Sequence, residues 1–445
     1  MLADNRSVLE IAFAAMLTCA IFVSCRAHDE APAGTLDVRI DRLLMTYEDR
    51  GVFTGAVLIA KNGNVLLEKG YGPADRDGNR PNTPDTPFQI ASTSKLLTRV
   101  AVLLEADRGT LNVDDVLSEY IPDIPNGATI SLAHLIHNTS GIRDLYNDEP
   151  FARASDFAGP ITPDELLDLF RDLTPTFEPG TRLGYSSPGY VLLARVVERT
   201  SGVAFGSYLQ ENLFGPLGMR RSGHLGFDVP DDPATGYVRE GRNLSPAPDV
   251  DPDFMLGAGG VVTSARDLYR LYIGLYEKGL LSERSMNVFG GGLHYGHNFG
   301  FRSGFVAMPF HGIAVIVLSN HDEAPMEDLV PEILTILLEG DVVDRDASTL
   351  EEYVGIYGAP SFDHIDSEMI IRLDDPGLEM RIDFSTGDML EFSLRPEEGD
   401  RFLTVADGEF TGMIVTFDRD SAERIAGLTV NHSGWIIPAV RESDR

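Results

Sequence analysis

Ser92-Thr93-Ser94-Lys95 is the segment of this chain best equipped to do chemistry. On a helix, a serine and a lysine three positions apart lie one turn apart on the same face. A lysine nitrogen beside a hydroxyl is one of the few arrangements that activates serine without a histidine. The chain has only four lysines, Lys61, Lys69, Lys95 and Lys278, and only Lys95 has a serine three residues before it. The competing structural reading is an N-capping serine followed by a surface lysine. The two roles are compatible, because a helix N-terminus also stabilises negative charge developing on a nucleophile.

Two further groups of residues bear on the same chemistry. Gly184-Tyr185-Ser186-Ser187-Pro188-Gly189-Tyr190 places a phenol in a Gly/Ser/Pro loop before a helical stretch. A phenol next to a lysine can relay a proton. His294-Tyr295-Gly296-His297 precedes strand-like sequence, and a glycine there lets an edge strand approach a substrate closely. His134 and His137 lack a suitably spaced third ligand and read as structural, so no metal and no cofactor is expected. G-x-S-x-G, Walker A, H-E-x-x-H and dinucleotide fingerprints are all missing from the sequence.

The elements that must position these groups alternate along the chain. Leu36–Asp49 reads as a helix, and Gly55–Ala60 and Asn64–Lys69 as a hairpin about Asn62-Gly63. Helices are expected at Leu96–Arg108, Thr129–His137, Asp164–Arg171, Tyr190–Thr200, Phe205–Leu213 and Ala265–Lys278. Ser303–Pro309 and Gly312–Ser319 read as strands and Glu327–Leu338 as a helix. Strands, many helices, then strands describe an α+β fold: an antiparallel sheet flanked by helices, with a helical subdomain. After about Asp341 short alternating runs recur at Met369–Leu373, Leu378–Phe384, Met389–Leu394, Gly412–Phe417 and Leu428–Asn431, the pattern of a small sandwich or barrel.

Composition narrows the partners. A formal charge of -33 over 445 residues argues against nucleic acid and against electrostatic attachment to anionic lipid. Both cysteines, Cys19 and Cys25, lie near the N-terminus, so the rest of the chain has no cysteine nucleophile, disulfide or thiolate metal site. Ile11–Val23 has the length of a secretory signal core, and Phe22-Val23-Ser24-Cys25 resembles a lipoprotein cleavage box, with Phe22 where leucine is usual and Cys25 as the residue that would be lipidated; an uncleaved N-terminal anchor is the alternative. The expected order is a leader over 1–27, a catalytic domain over 28–345 and a β-rich domain over 346–445. The expected location is secreted or periplasmic, with membrane attachment only through the N-terminus.

These segments, taken in order, resemble the serine β-lactamase and penicillin-binding-protein superfamily, and most of all its class C-like branch. Phe88–Lys95 is similar to the nucleophile segment. Leu135–Ile142 (L-I-H-N-T-S-G-I) is similar to the stretch that ends a neighbouring helix, and Phe177–Gly180 with Tyr185–Tyr190 to the tyrosine motif. Pro216–Met219 and Gly257–Leu268 fit as well. The resemblance covers about Leu36–Leu338. It implies a β-lactamase-like fold and a serine hydrolase in which Ser92 is acylated, while Lys95 and Tyr185 move its proton. It places the backbone N–H groups of Ser92 and His297 at the oxyanion, and Ser187, His294, Tyr295 and Gly296 along the substrate. The implied substrates are small esters, D-amino-acid peptides or β-lactam-like amides. Two departures are visible: Ser187 stands where the family usually has Asn, and H-Y-G where it has K-T-G. An alternative alignment leaves the third motif deleted. A degenerate binding protein with the same fold is the competing class. The sequence after Leu350 resembles the lipocalin-like domain appended to many of these hydrolases.

Overall fold

The structure is a computed structural model. It describes residues 34–147, 159–240, 243–289, 292–338 and 350–441, the last span with breaks at 363–364, 375–376, 385–388, 397–400, 406–413, 420–423 and 433–434. The expected leader with Cys25, and the expected domain boundary near 345, lie outside the described residues.

Helix α1 (Leu36–Asp49) leads into the hairpin β1 (Gly55–Lys61) and β2 (Asn64–Tyr71). Helices α2 (Ser94–Arg108), α3 (Ser187–Ser201) and α4 (Ala265–Tyr276) follow. The chain then returns to strands β3 (Leu293–Asn298), β4 (Phe301–Met308) and β5 (Ile313–Ser319), and to helix α5 (Met326–Leu338). The five strands form one antiparallel sheet in the order β3-β4-β5-β1-β2. Strands far apart in the sequence meet at its centre, where β1 pairs with β5 over its whole length.

Both faces of this sheet are covered, which is why β5 is apolar and buried along its whole length. Side chains alternate between the faces. Ala56, Leu58, Phe305, Ile316 and Leu318 pack toward the large helical core with α2 and α3. Val57, Ile59, Val306, Val315 and Val317 pack toward α1 and α5. A small second sheet, Phe88–Gln89, Val261–Thr263 and Gly223–His224, joins the segment that leads into Ser92 to the helical side.

Several expected boundaries move. The helix expected from Leu96 begins at Ser94, and Ser92 lies in a 3-10 turn, Ala91–Thr93, just before it. Ser92 therefore does not cap α2; its hydroxyl is engaged elsewhere. The helix expected over Thr129–His137 is only Leu132–Ile136, because Ser131 and His134 close a capping box at its start. The helix expected over Phe205–Leu213 widens into a π-turn at Gln210–Phe214. Among the described residues of the C-terminal region, eight strands from Gly355–Phe362 to Trp435–Arg441 close into an antiparallel barrel. Leu378, Met380, Ile382, Phe402, Phe417 and Leu428 fill its interior. Three of its strands, Gly355–Phe362, Arg401–Val405 and Trp435–Arg441, carry too little alternation to stand out in the sequence.

Candidate active site

Ser92 sits at a strained corner. Ala91 adopts a left-handed conformation, φ 47°, which costs a residue with a Cβ about 1–2 kcal/mol. The turn is held from three sides. Ile90 N donates to Val261 O at 3.1 Å, and Val261 N donates to Ser94 Oγ at 3.1 Å. Ser303 Oγ donates to Ile90 O at 2.7 Å. That uses the single proton of Ser303, so Thr93 Oγ1 is the donor in its 2.9 Å bond to Ser303 Oγ.

Lys95 projects from the first turn of α2 and is almost fully buried. Its Nζ donates to Ser92 Oγ at 3.0 Å and to Ala258 O at 2.9 Å, and it lies 4.8 Å from the centroid of the Tyr185 ring. The Ala258 carbonyl is presented by the loop 257–260. Gly257 has φ 64°, and a Cβ there would lie 2.4 Å from Tyr190 O. The Gly257 carbonyl accepts from Thr98 Oγ1 at 2.7 Å, which locks this loop to α2.

Tyr185 closes the triad, its Oη donating to Ser92 Oγ at 2.7 Å. Its ring is half exposed. The loop carrying it is braced by the segment 138–144. Asn138, itself left-handed at φ 56°, accepts from Gly184 N at its carbonyl and from Ser186 N at Oδ1, at 2.8 and 3.3 Å. Ser187 N donates to Asp144 Oδ1 at 3.1 Å, and Ser186 Oγ caps α3 by accepting from Gly189 N at 3.2 Å. The two sequence segments that seemed independent are thus one hydrogen-bonded brace for the phenol.

Edge strand β3 forms the opposite wall. A Cβ on Gly296 would fall 2.2 Å from Ile90 O and 2.3 Å from Ser303 Oγ, so only glycine lets this strand lie against the turn that carries Ser92. The structure brings Ser92, Lys95, Tyr185, Ser187, Tyr295, Gly296 and His297 around one cleft of about 480 Å³. It turns His294 away, toward the Phe305 ring at 6.5 Å between centroids. His297 stands exposed at the rim. Packing of its inner side against the wall, and the nearby Arg302 guanidinium, push its imidazole below the ordinary histidine range. Ser303, the Ala258 carbonyl and Glu327 also belong to this site and were not singled out in the sequence. Only the serine at 303 had a signal, a polar residue in an otherwise buried strand. Among the described residues, no cluster of His, Cys, Asp and Glu is arranged to hold a metal ion.

A serine hydroxyl held between a lysine and a tyrosine, on a turn between a sheet and a helical layer, defines a class before any comparison is made. The Beta-lactamase family profile matches residues 40–337, and the chain belongs to that family. It is 33% identical over 236 residues, 52% of its length, to the Bacillus subtilis penicillin-binding protein PbpX, and spans 57% of that protein. Its fold is similar to that of the octameric penicillin-binding protein homologue from Pyrococcus abyssi. The TM-score is 0.59 at 22% identity, with 90% of this chain and 99% of that one covered. The D-amino acid amidase from Ochrobactrum anthropi matches 68% of this chain and 98% of its own, with TM-score 0.59 and 21% identity.

Proposed function

We propose that the protein is a serine hydrolase that cleaves a small ester or peptide-like amide through an acyl-enzyme on Ser92. One observation carries the reading: Ser92 Oγ accepts hydrogen bonds from both Lys95 Nζ and Tyr185 Oη, at 3.0 and 2.7 Å, at the floor of an open cleft. Two donors on one oxygen stabilise the alkoxide relative to the alcohol. The reaction requires the Lys95–Tyr185 pair to enter one proton short of its fully protonated form. As Oγ attacks the substrate carbonyl, its proton passes to the pair and from there to the leaving group. Water then attacks the acyl carbonyl and gives a proton to the pair, which returns it to Ser92 Oγ as the acid departs. The backbone N–H groups of Ser92 and His297 stabilise the oxyanion, a contribution typically worth about 10²–10³ in rate per donor.

Ser187 inclines the reading toward esters. A hydroxyl at this position offers neither the carbonyl nor the NH₂ of an amide, so a substrate side-chain amide is held less firmly. The amidase fold neighbour and the penicillin-binding relative keep a D-amino-acid amide or peptide, with weak β-lactamase activity, as the second reading. An exported protein, lipidated at Cys25, fits this chemistry.

Intact-mass labelling with a fluorophosphonate and with a penicillin, on wild type and Ser92→Ala, tests the proposal. A Ser92-dependent adduct is expected with the fluorophosphonate. No Ser92-dependent adduct from either reagent would leave a binding protein with a hydrolase fold.

A further inference from the structure

The cleft has one charged group that the acyl-transfer chemistry does not use. Among the described residues lining it, the charged side chains are Lys95 and Glu327. Lys95 is buried, with its nitrogen turned to Ser92 Oγ and Ala258 O and so directed at the serine rather than at a distant part of a substrate. Glu327, in the first turn of α5, joins the lining on the His297 side, since its partner Arg302 is the residue that pairs with His297 across β3 and β4.

Its cationic partner among the described residues, Arg302, does not cancel it. Arg302 Nη1 meets Glu327 Oε1 at 3.1 Å, while Arg302 Nε donates to Asp322 O at 2.8 Å. The guanidinium side chain is 21% exposed and the carboxylate 57%, so the pair shows its negative member to the cleft mouth. His297, next to it, is held toward its neutral form. The whole chain adds a background of -33. With Lys95 buried against Ser92, the exposed carboxylate sets the sign of the field at the cleft mouth, and low-dielectric walls concentrate that field.

We propose, on the acyl-transfer reading above, that this cleft selects substrates whose end over His297 is neutral or carries an amine. It rejects those ending in a carboxylate, with Glu327 as the discriminating residue. The matching substrate class is a neutral ester, an amide, or an amine-bearing analogue, and not a free C-terminal acid.

Two ester series test this. One carries the charge on the leaving group: 4-acetoxybenzoate, 4-acetoxybenzamide and 4-(aminomethyl)phenyl acetate, each normalised to its rate with hydroxide. The other carries it on the acyl chain: the p-nitrophenyl esters of succinate, butyrate and 4-aminobutyrate. The readout is the ratio of kcat/KM for the amine to that for the carboxylate, taken within one protein so that general damage cancels. In at least one series the wild-type ratio is expected to exceed about 10, with the neutral member between. Glu327→Gln is expected to lower it about three- to tenfold, as for a partly exposed charge. Arg302→Gln, which unmasks the carboxylate, is expected to raise it, and 0.5 M NaCl to shrink it. A ratio near or below one in both series, or a ratio that Glu327→Gln leaves unchanged, overturns the proposal while a Ser92 adduct keeps the hydrolase reading. No turnover of any ester and no Ser92 adduct overturns both.

Discussion

Ser92 Oγ takes two hydrogen bonds from groups that also face each other, Lys95 Nζ lying 4.8 Å over the Tyr185 ring. Groups coupled this closely act as one unit in kinetics. Lys95→Ala and Tyr185→Phe should each lower kcat by about 10²–10⁴-fold, the usual range for lost acid–base catalysis. The double variant should lose little more than the worse single one; strictly multiplicative losses would show two independent roles. Gly296 gives a second prediction at this scale. Its added Cβ meets backbone, the Ile90 carbonyl at 2.2 Å, and cannot be accommodated by a side-chain rotation. Gly296→Ala should push β3 off the nucleophile turn and cost about 10²-fold in kcat/KM, the order expected for a displacement near 1 Å. Unchanged kinetics would mean that β3 does not set the width of the cleft. Ser92, Lys95 and Tyr185 were legible because a helix turn and a Gly/Ser/Pro loop announce themselves locally. Ala258 and Ser303 were not, since their roles arise from contacts across 163 and 213 residues of chain.

The elements that carry these residues are held from the helical side by the small sheet of Phe88–Gln89, Val261–Thr263 and Gly223–His224. His224, buried in it, packs edge-on against Phe205 and holds Leu225 O with Nδ1 at 2.7 Å, so Nδ1 carries the proton. Burial lowers its pKa, partly opposed by the Leu225 carbonyl and by Glu198. The folded state thus binds this proton less readily than the unfolded chain, whose histidines titrate near 6.5. The contribution is complete above about pH 6.5 and is lost as pH falls through the lowered folded value. Urea midpoints between pH 8 and 5 should fall more steeply for wild type than for His224→Gln; parallel profiles would remove His224 as the cause. At this scale the strong apolar patterns of α1, the β1–β2 hairpin, β5 and α5 were readable from sequence within a few residues. The start of α2 was read two residues late, and the 3-10 turn before it was not readable, because it rests on an unusual Ala91 backbone that no local pattern announces.

Across the molecule, the central pairing of β1 with β5 makes the catalytic layer a long-range construction. Gly55 pairs with Ser319, and the helical half lies between them in the sequence. The order of strands and helices showed the α+β class; it did not show which strand formed the edge beside Ser92. The barrel was legible only as a choice between sandwich and barrel, since closure depends on the pairing of its first strand with its last. The net charge of -33 has its own consequence. Self-repulsion opposes the compact state and is screened with a Debye length near 10 Å at 0.1 M salt. The melting temperature should rise by a few degrees between 10 mM and 0.5 M NaCl; no change would show that the acidic groups are locally compensated.

Hydrolysis by this site requires an acyl group to pass through Ser92. The most direct test is rapid quenching during turnover of p-nitrophenyl butyrate, followed by peptide mapping by mass spectrometry. A butyryl adduct on the peptide containing Ser92, absent in Ser92→Ala together with hydrolysis, is the predicted result. An adduct on another residue, or Ser92→Ala hydrolysing the ester at the wild-type rate, would contradict it.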